Sequence, residues 1–397
     1  MRLVHISDLH LGYRQFQRLT PTGVNQREAD IAGTFRVAVD RIIALRPNVV
    51  IVAGDVFHSS RPSNQAILHA FLQFSRLTQA LPDSDIVVVG GNHDSPRSSE
   101  VGGILPLLAQ LGVHVVDRDA KRLTLANGEL SVLAIPDVPG LVRPSFTPDE
   151  NARYNVLAAH LEIQGMLPAS VAAADPAAVS ITRDELDTTR FDYVAFGHYH
   201  VCREIAPNAF YCGSIDYTSV NPWGEKREER DFGVGGKGFI ERNLATGEHT
   251  FHQLAESRPL VDLVPINAKQ LTAAEVDERI RAAIDSVKGG IDDKIVRLRV
   301  FDAPRHIARE LDHKAIRDYK RRALNFHLDV RRPDILRLHG SGAPGGRAME
   351  LKDIVAEKLR WRTLDAGLDR DALISRALAY LDEAQAILPA PAPLLES

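Results

Sequence analysis

Several short apolar runs in this 397-residue chain end in side chains that can bind a metal ion. LVHIS (3–7) runs into Asp8-Leu9-His10, VVIVAG (49–54) into Asp55, and IVVVGG (86–91) into Asn92-His93-Asp94. NVLAA (155–159) runs into His160, and DYVAFG (192–197) into His198-Tyr199-His200. Each signal is weak alone. An aspartate after a strand usually caps a turn, and a histidine there is usually a surface residue. The x-spaced pairs Asp8/His10 and His198/His200 share one face of an extended segment, which suits chelation and a solvated edge equally. All these strand ends together are not what chance produces. The donors are carboxylate, imidazole and amide oxygen without thiolate, which disfavours a structural zinc site. They suit manganese, iron or zinc in a catalytic site. The set is too large for one ion and suits two, about 3.5–4 Å apart. Such a pair lowers the pKa of a bridging water and clamps the oxygens of an in-line displacement at phosphorus, so phosphoester hydrolysis is the natural reaction.

Side chains spread this far along the chain need strands to gather them. In an open α/β sheet, ligands collect beyond the carboxyl ends of the strands. Helical periods separate the first three runs: Ile31, Phe35, Val39 and Ile42, then Ile67, Phe71 and Phe74 behind Pro62 and Ser63. A short helix around 104–111 and the strand VHVV follow. From about Leu123, short strands succeed one another (LTLA, LSVLAIP, YNVLAAH, DYVAFGHYH, AFYCGS, KGFIERN), with one possible helical turn at 182–186. The expectation is an α/β fold in which a two-sheet β-sandwich is flanked by helices over residues 1–255. Within it, the charged, glycine-rich stretch 222–238 reads as a mobile surface loop.

A new unit begins near Arg258-Pro259. The strand VDLVPI, a helix over 273–286 and the strand IVRLRV predict a small α/β capping domain, 256–337. A Gly/Pro-rich linker, 338–350, leads to two amphipathic helices in 351–388 and a disordered tail, 389–397. Leu351, Ile354, Val355 and Leu359, then Leu373, Ile374, Leu378 and Leu381, form apolar faces that two short helices cannot bury alone.

Composition excludes some classes. Hydrophobic content of 44% with 25% charged residues is ordinary for a globular protein. No apolar run approaches the roughly 20 residues of a membrane span, and the N-terminus does not read as a signal peptide. Two cysteines cannot make a disulfide framework and fit a reducing, cytoplasmic compartment. A net charge of −4 announces no nucleic-acid binder, so a DNA reading must rest on local patches.

The motifs D-x-H, GD, GNHD, H and GHxH, in this order, resemble those of the calcineurin-like metallophosphoesterases. GDVFHSSRPS, HLGYRQF and GGNHDSP are similar to the SbcD-type nuclease subunits of double-strand-break repair complexes. The resemblance covers roughly 1–255. It weakens in the cap, where SRPLVDL carries it, and in the last helices it is one of layout only. Carried over position by position, it implies one metal held by Asp8, His10, Asp55 and His200. It implies a second held by Asp55, Asn92, His160 and His198, with Asp55 bridging and manganese the expected metal. His93 would then be a catalytic non-ligand near the scissile phosphate, oriented by Asp94. His58 would steer the phosphodiester for exonucleolytic cutting.

The metal site does not choose among DNA, nucleotide, protein or lipid phosphates. DNA is favoured by His58 in HSSRPS and by the basic stretch 305–332. Arg61, Lys320, Arg321 and Arg322 are the candidate DNA contacts, although the basic stretch taken alone reads more readily as a solvated charged helix. The resemblance further implies that the C-terminal helices dock on an SMC-like ATPase. It also implies a homodimer, through 67–77 or the helix near Ile104, where burial in the core would explain the apolar residues equally. The leading expectation is a manganese-dependent DNA exonuclease and endonuclease, cytoplasmic and associated with the nucleoid. A phosphoesterase acting on a small phosphodiester or nucleotide is the alternative. A non-enzymatic scaffold is disfavoured, because no expected ligand is missing.

Overall fold

The computed structural model describes residues 1–95, 103–166, 176–219, 221–333, 351–361 and 369–387. The linker 338–350 and the tail 389–397 lie outside them. The chain divides into two units, Met1–Arg332 and Pro333–Ser397.

β1 (Arg2–Ile6) leads through α1 (Gln26–Leu45), β2 (Val49–Ala53), α2 (Asn64–Ala80), β3 (Asp85–Val89) and a short α3 (Pro106–Ala109) to β4 (His114–Val116). Then come β5 (Lys121–Leu125), β6 (Leu130–Ile135), β7 (Tyr154–His160), β8 (Glu162–Ile163), β9 (Ser180–Ile181), β10 (Tyr193–Gly197), β11 (Arg203–Ala206) and β12 (Ala209–Tyr211). α4 (Pro222–Asp231), β13 (Gly238–Asn243) and β14 (His249–Gln253) complete this part. Two six-stranded sheets result, ordered β14-β13-β1-β2-β3-β4 and β11-β12-β10-β7-β6-β5. The predicted two-sheet sandwich with flanking helices is the observed fold.

In the first sheet β1, β2, β3 and β4 run parallel. In the second β6, β7, β10 and β12 do. β2, β7 and β10 are buried at every position, as continuous apolar runs require. Their loops therefore leave from carboxyl ends that lie along one edge of each sheet.

The helices cover the sandwich. α1 buries Ile31, Phe35, Val39 and Ile42, the stripe its period predicts, and Asn25 caps it by accepting from Arg27 N. Ser63 caps α2. The buried face of α2 overlaps the expected one at Phe74 and is otherwise centred on its alanines. Ala66, Ala70, Phe74 and Leu77 face the core, Ile67 and Phe71 flank them half-buried, and Leu68 and Leu72 are exposed. Small alanines let α2 approach closely, which turns its larger aliphatics outward.

The stretch 222–238 is not a surface loop. Asn221 accepts from Gly224 N, Pro222 takes the first helical turn, and α4 follows with Glu225 and Glu229 buried. Lys237, at the return into β13, is only 4% exposed. Three of its charges, Glu225, Glu229 and Lys237, pair with one another inside the molecule, while Arg227, Arg230 and Asp231 stay exposed.

In the cap, Pro265 splits the expected strand VDLVPI into β15 (Leu260–Asp262) and β16 (Ile266–Asn267). α5 (Ala273–Asp285) precedes the central strand β17 (Ile295–Phe301), with which β15, β16 and β18 (Asn325–Val330) pair in parallel. Between β17 and β18 the basic stretch forms α6 (Arg305–Glu310) and α7 (His313–Arg322). Tyr217, Leu260, Ile295 and Leu324 make a separate apolar cluster with Phe16 and Trp223 packed against it.

Polar contacts bind the same seam. The Arg18 guanidinium donates to the carbonyls of Arg321 and Ala323, capping α7, and pairs with Asp293 at 2.6 Å. Arg258 makes a bidentate pair with Asp30 at 2.9 and 3.0 Å. Arg27, 1% exposed, donates to Asp216 Oδ1 at 2.9 Å, to the Tyr217 carbonyl at 3.0 Å and to Ser257 Oγ at 2.9 Å.

In the second unit α8 (Leu351–Trp361) and α9 (Arg370–Ile387) match the two predicted helices. Arg370 donates to the carbonyls of Leu359 and Arg360, and Lys352 pairs with Asp382.

Asp216→Ala would leave the buried Arg27 guanidinium without its closest carboxylate. We expect urea denaturation to show a loss of roughly 3–5 kcal/mol. A loss below about 1 kcal/mol would place the pair in the range of exposed ion pairs and contradict this reading.

Candidate functional site

Turns at the strand ends carry the candidate ligands, and their backbones are unusual. Asp8 (φ 51°), His10 (φ 45°), Asp55 (φ 52°) and His198 (φ 99°) all lie at positive φ, where non-glycine residues are uncommon and strained. The first two turns hold each other: Asp8 N donates to the Gly54 carbonyl at 3.0 Å and His10 N to the Asp55 carbonyl at 2.9 Å. His198 N donates to Asp8 Oδ1 at 3.0 Å, which joins the second sheet to the first.

The glycines beside the ligands leave room that side chains fill. A Cβ on Gly54 would lie 2.0 Å from His160 Nδ1, and one on Gly91 2.0 Å from Asp55 Oδ1. On Gly197 it would meet the Ala53 carbonyl oxygen at 1.8 Å. The GD, GGNHD and GH patterns therefore keep glycine where ligand side chains cross between the two sheets.

Five of the seven candidate ligands fall into shared groups, Asn92 meets one of them, and the His198 ring lies edge-on to His160 with centroids 5.4 Å apart. Among the described residues, Asp8 with Asp55 and His160, and Asp8 with His10 and His200, each present ligand atoms within 4.8 Å of one another. His10, His58 and His93 form a third such group. His160 Nδ1 lies 2.8 Å from the Ala53 carbonyl, so that nitrogen carries the proton. Its Nε2 lone pair then faces Asn92 Oδ1 at 3.0 Å and Asp55 Oδ2 at 3.6 Å. His10 Nε2 lies 2.9 Å from His200 Nε2 and 3.6 Å from Asp55 Oδ2. Lone pairs and carboxylate oxygens aimed at one another this closely suit a cation between them.

Electrostatics agree. Burial pushes the Asp8 carboxyl up to about 7, with His160 pulling it down, Asp55 pushing it up, and Ser7 Oγ and His198 N lowering it. Burial and the neighbouring imidazoles hold His10 well below its usual value. Without cations such a cluster opposes both carboxylate ionisation and imidazole protonation. Divalent ions would favour the ionised carboxylates and would accept the unprotonated imidazoles as they stand. The donor set therefore fits the expected metals, and no sulfur donor enters it.

His93 is half-buried. Its backbone N donates to Asp55 Oδ1 at 3.0 Å, and its Nδ1 lies 2.9 Å from the His58 carbonyl. Asp94 is not placed to orient it. Its carboxylate accepts from Val56 N, Phe57 N and Gly91 N, at 3.1, 2.9 and 3.1 Å. That ties the loop after β3 to the loop after β2, because buried N–H groups at those turns need an acceptor. The positioning of His93 expected from Asp94 thus comes from the His58 carbonyl. The His58 ring stacks on His93 with centroids 5.1 Å apart, and its Nδ1 approaches His10 Nδ1 at 3.3 Å.

The candidate DNA contacts are not brought into this cluster. Arg61 is exposed in the loop beyond His58. Lys320, Arg321 and Arg322 form the last turn of α7, all exposed. There Arg321 pairs with Asp318 and Arg322 with Asp292.

Some residues at the site escaped the sequence reading. Ser7 donates to Asp8 Oδ2 at 2.5 Å. Glu225 Oε1 lies 4.0 Å from His200 Nδ1, and Lys237 Nζ donates to the His200 carbonyl at 2.7 Å. The available signals were Asn221-Pro222, a helix start, and the i,i+4 spacing of Glu225 and Glu229, which puts both on one face.

Comparison with known proteins agrees with this geometry. A family model described as calcineurin-like phosphoesterase matches residues 1–202. The DNA double-strand break repair protein Mre11 of Methanococcus maripaludis is 30% identical over 260 residues, covering 62% of this chain and 63% of that protein. The protein of the same name from Methanocaldococcus jannaschii is 27% identical over 248 residues, 60% of this chain and 61% of its own length. The one from Thermoplasma acidophilum is 27% identical over 314 residues, 75% and 73%. The chain thus spans under two thirds of the length of the first two of these relatives.

Two glycine substitutions separate crowding from conformation. Gly197→Ala, which drives a Cβ into the Ala53 carbonyl, should cost about 1–3 kcal/mol and weaken any divalent-metal uptake. Gly33→Ala, in helix α1 with nothing within 4 Å, should be neutral or stabilise by up to about 1 kcal/mol. Thermal unfolding and manganese titration of both variants read this. Equal behaviour of the two would contradict the crowding argument.

Proposed function

Because the chain belongs to the calcineurin-like phosphoesterase family, we propose that it is a metal-dependent nuclease that hydrolyses DNA phosphodiester bonds in double-strand-break repair. The observation that carries the DNA reading is His58. Its ring stacks on His93 and meets His10, so a residue of the HSSRPS segment lies at the ligand cluster itself. The names of the relatives support the same reading.

In this proposal Asp8, His10, Asp55 and His200 hold one divalent ion. Asp55, Asn92, His160 and His198 hold the second, and manganese is the working metal. When bound, the ions supply Lewis-acid activation of water and neutralise charge at the phosphate. His93 supplies the proton. Its Nδ1–H donates to the His58 carbonyl and fixes the ring, so that a proton carried on Nε2 passes to the leaving oxygen. His58 steers the phosphodiester beside it, with Tyr13 edge-on to its ring at 4.8 Å. Asp94 holds the two loops that carry His93 and His58 and touches no reacting atom. Arg61, Lys320 and Arg321 supply exposed positive charge for phosphate contacts, which makes DNA binding salt-dependent.

The partner readings rest on apolar surface. Val355, Leu359, Leu373, Ile374, Leu378 and Leu381 are half-buried, which leaves α8 and α9 surface for an SMC-like ATPase. Leu68, Leu72 and Leu107, respectively 59%, 50% and 38% exposed, suit a homodimer through α2 and α3. Among the described residues no helix is long and apolar enough to cross a membrane. We place the protein in the cytoplasm, at the nucleoid.

Linear duplex and single-stranded DNA should be degraded with manganese, less well with magnesium, and not with chelator. His93→Ala should abolish cleavage while manganese still binds, because only a non-ligand is lost. His58→Ala should impair exonuclease more than endonuclease activity. Turnover of a chromogenic phosphodiester with no action on any DNA would replace this reading by the small-substrate one. For the partner, the SMC-like ATPase should co-purify with the full chain and not with a chain lacking 349–397. Equal recovery with both would exclude these helices as its docking site.

A further inference from the structure

We propose that Glu225 is a positioning residue for His200. The inference rests on the reading of His200 as a metal ligand. A histidine that binds a metal through one ring nitrogen commonly gives the N–H of the other to a carboxylate, which fixes tautomer and ring orientation. His200 turns Nε2 toward His10, at 2.9 Å, inside the ligand cluster. Its Nδ1 points the other way, 4.0 Å from Glu225 Oε1, longer than a hydrogen bond, so that the carboxylate acts on the ring by its charge.

Glu225 is not an incidental neighbour. It is 8% exposed, on a helix that opens with Asn221-Pro222 and projects into the molecule. Ser219 Oγ donates to Oε1, and Lys237 pairs with Oε2. Lys237 also reaches Glu229 at 3.1 Å and donates to the His200 carbonyl at 2.7 Å. Tyr217 OH donates to the other Glu229 oxygen at 2.6 Å. One ammonium thus faces two carboxylates, and the excess negative charge lies behind His200.

The helix itself is pinned. On its far side the Trp223 ring sits under the Arg297 guanidinium, 4.7 Å from the ring centre. Lys226 donates to the Leu260 carbonyl at 3.2 Å and pairs with Glu256 at 2.7 Å. A carboxylate held at both oxygens on a helix held at both sides cannot turn away from the imidazole. Burying this many charges is costly unless their geometry is closely fixed. The position of the His200 ring is what that fixed geometry determines.

Manganese titration of the full chain tests the proposal apart from activity. The wild type should take up two ions. Glu225→Gln, which keeps the shape and removes the charge, should weaken one of them about 10–100-fold and leave the other unchanged. Glu229→Gln removes the same charge from the same lysine but does not face His200, and should leave both affinities unchanged. Ser219→Ala, which frees Glu225 Oε1, should give a smaller loss at the same ion and carries the test if Glu225→Gln does not fold. Equal losses for Glu225→Gln and Glu229→Gln would reduce the cluster to a structural one, and no loss in either Glu225→Gln or Ser219→Ala would overturn the proposal. A wild type that binds no divalent ion would remove the metal reading of the site, and this inference with it.

Discussion

Asp55 is the constraint on which the rest depends. Its carboxylate is fully buried just beyond β2, within 3.6 Å of imidazole nitrogens from the turn after β1 and from the end of β7. A carboxylate in that position costs several kcal/mol unless something of opposite charge is beside it. Its neighbours are ligand-type groups, so a divalent cation among them would supply that compensation. Everything around it serves that requirement. The two sheets bring their carboxyl edges together there, the turns accept positive φ at Asp8, His10, Asp55 and His198, and glycines vacate the space the ligands cross.

A second layer of buried polar contacts keeps this arrangement from relaxing. Asp94 gathers three backbone N–H groups and locks the loop after β2 to the loop after β3. The Ala53 carbonyl sets the His160 tautomer. Arg27, Arg18 and Arg258 tie α1 and the loop before it to the cap and the chain entering it. None of these touches substrate in the proposed reaction. They turn a set of strained turns into a rigid one, because buried polar groups that are fully paired resist rearrangement.

Most of the fold, and the strand ends that carry the candidate ligands, were legible in the chain itself. Continuous apolar runs ending in Asp, Asn or His announce parallel strands with a site at their carboxyl ends, and the helix α1 follows its own period. The misreadings have a common cause. α2 buries Phe74 as its period predicts, but Ala66 and Ala70 take the centre of the buried face and leave Ile67 and Phe71 at its flanks. The stretch 222–238 resembles a solvated loop because its charges look unpaired in sequence, yet Lys237 and Glu225 satisfy each other across the turn. The resemblance implies that Asp94 orients His93, whereas its carboxylate is taken up by three backbone N–H groups instead.

By itself, then, the sequence determined the kinds of donor atom, the strands that carry them and the order in which they come. Those depend on local pattern: apolar period, turn residues and the chemistry of single side chains. The tertiary structure alone decided which donors share an ion-sized space, which tautomer His160 adopts, that His58 stacks on His93, and that Glu225 stands behind His200. Those depend on how close two sheets and one inserted helix approach. That distance arises from contacts between residues far apart in the chain, and no local pattern encodes it.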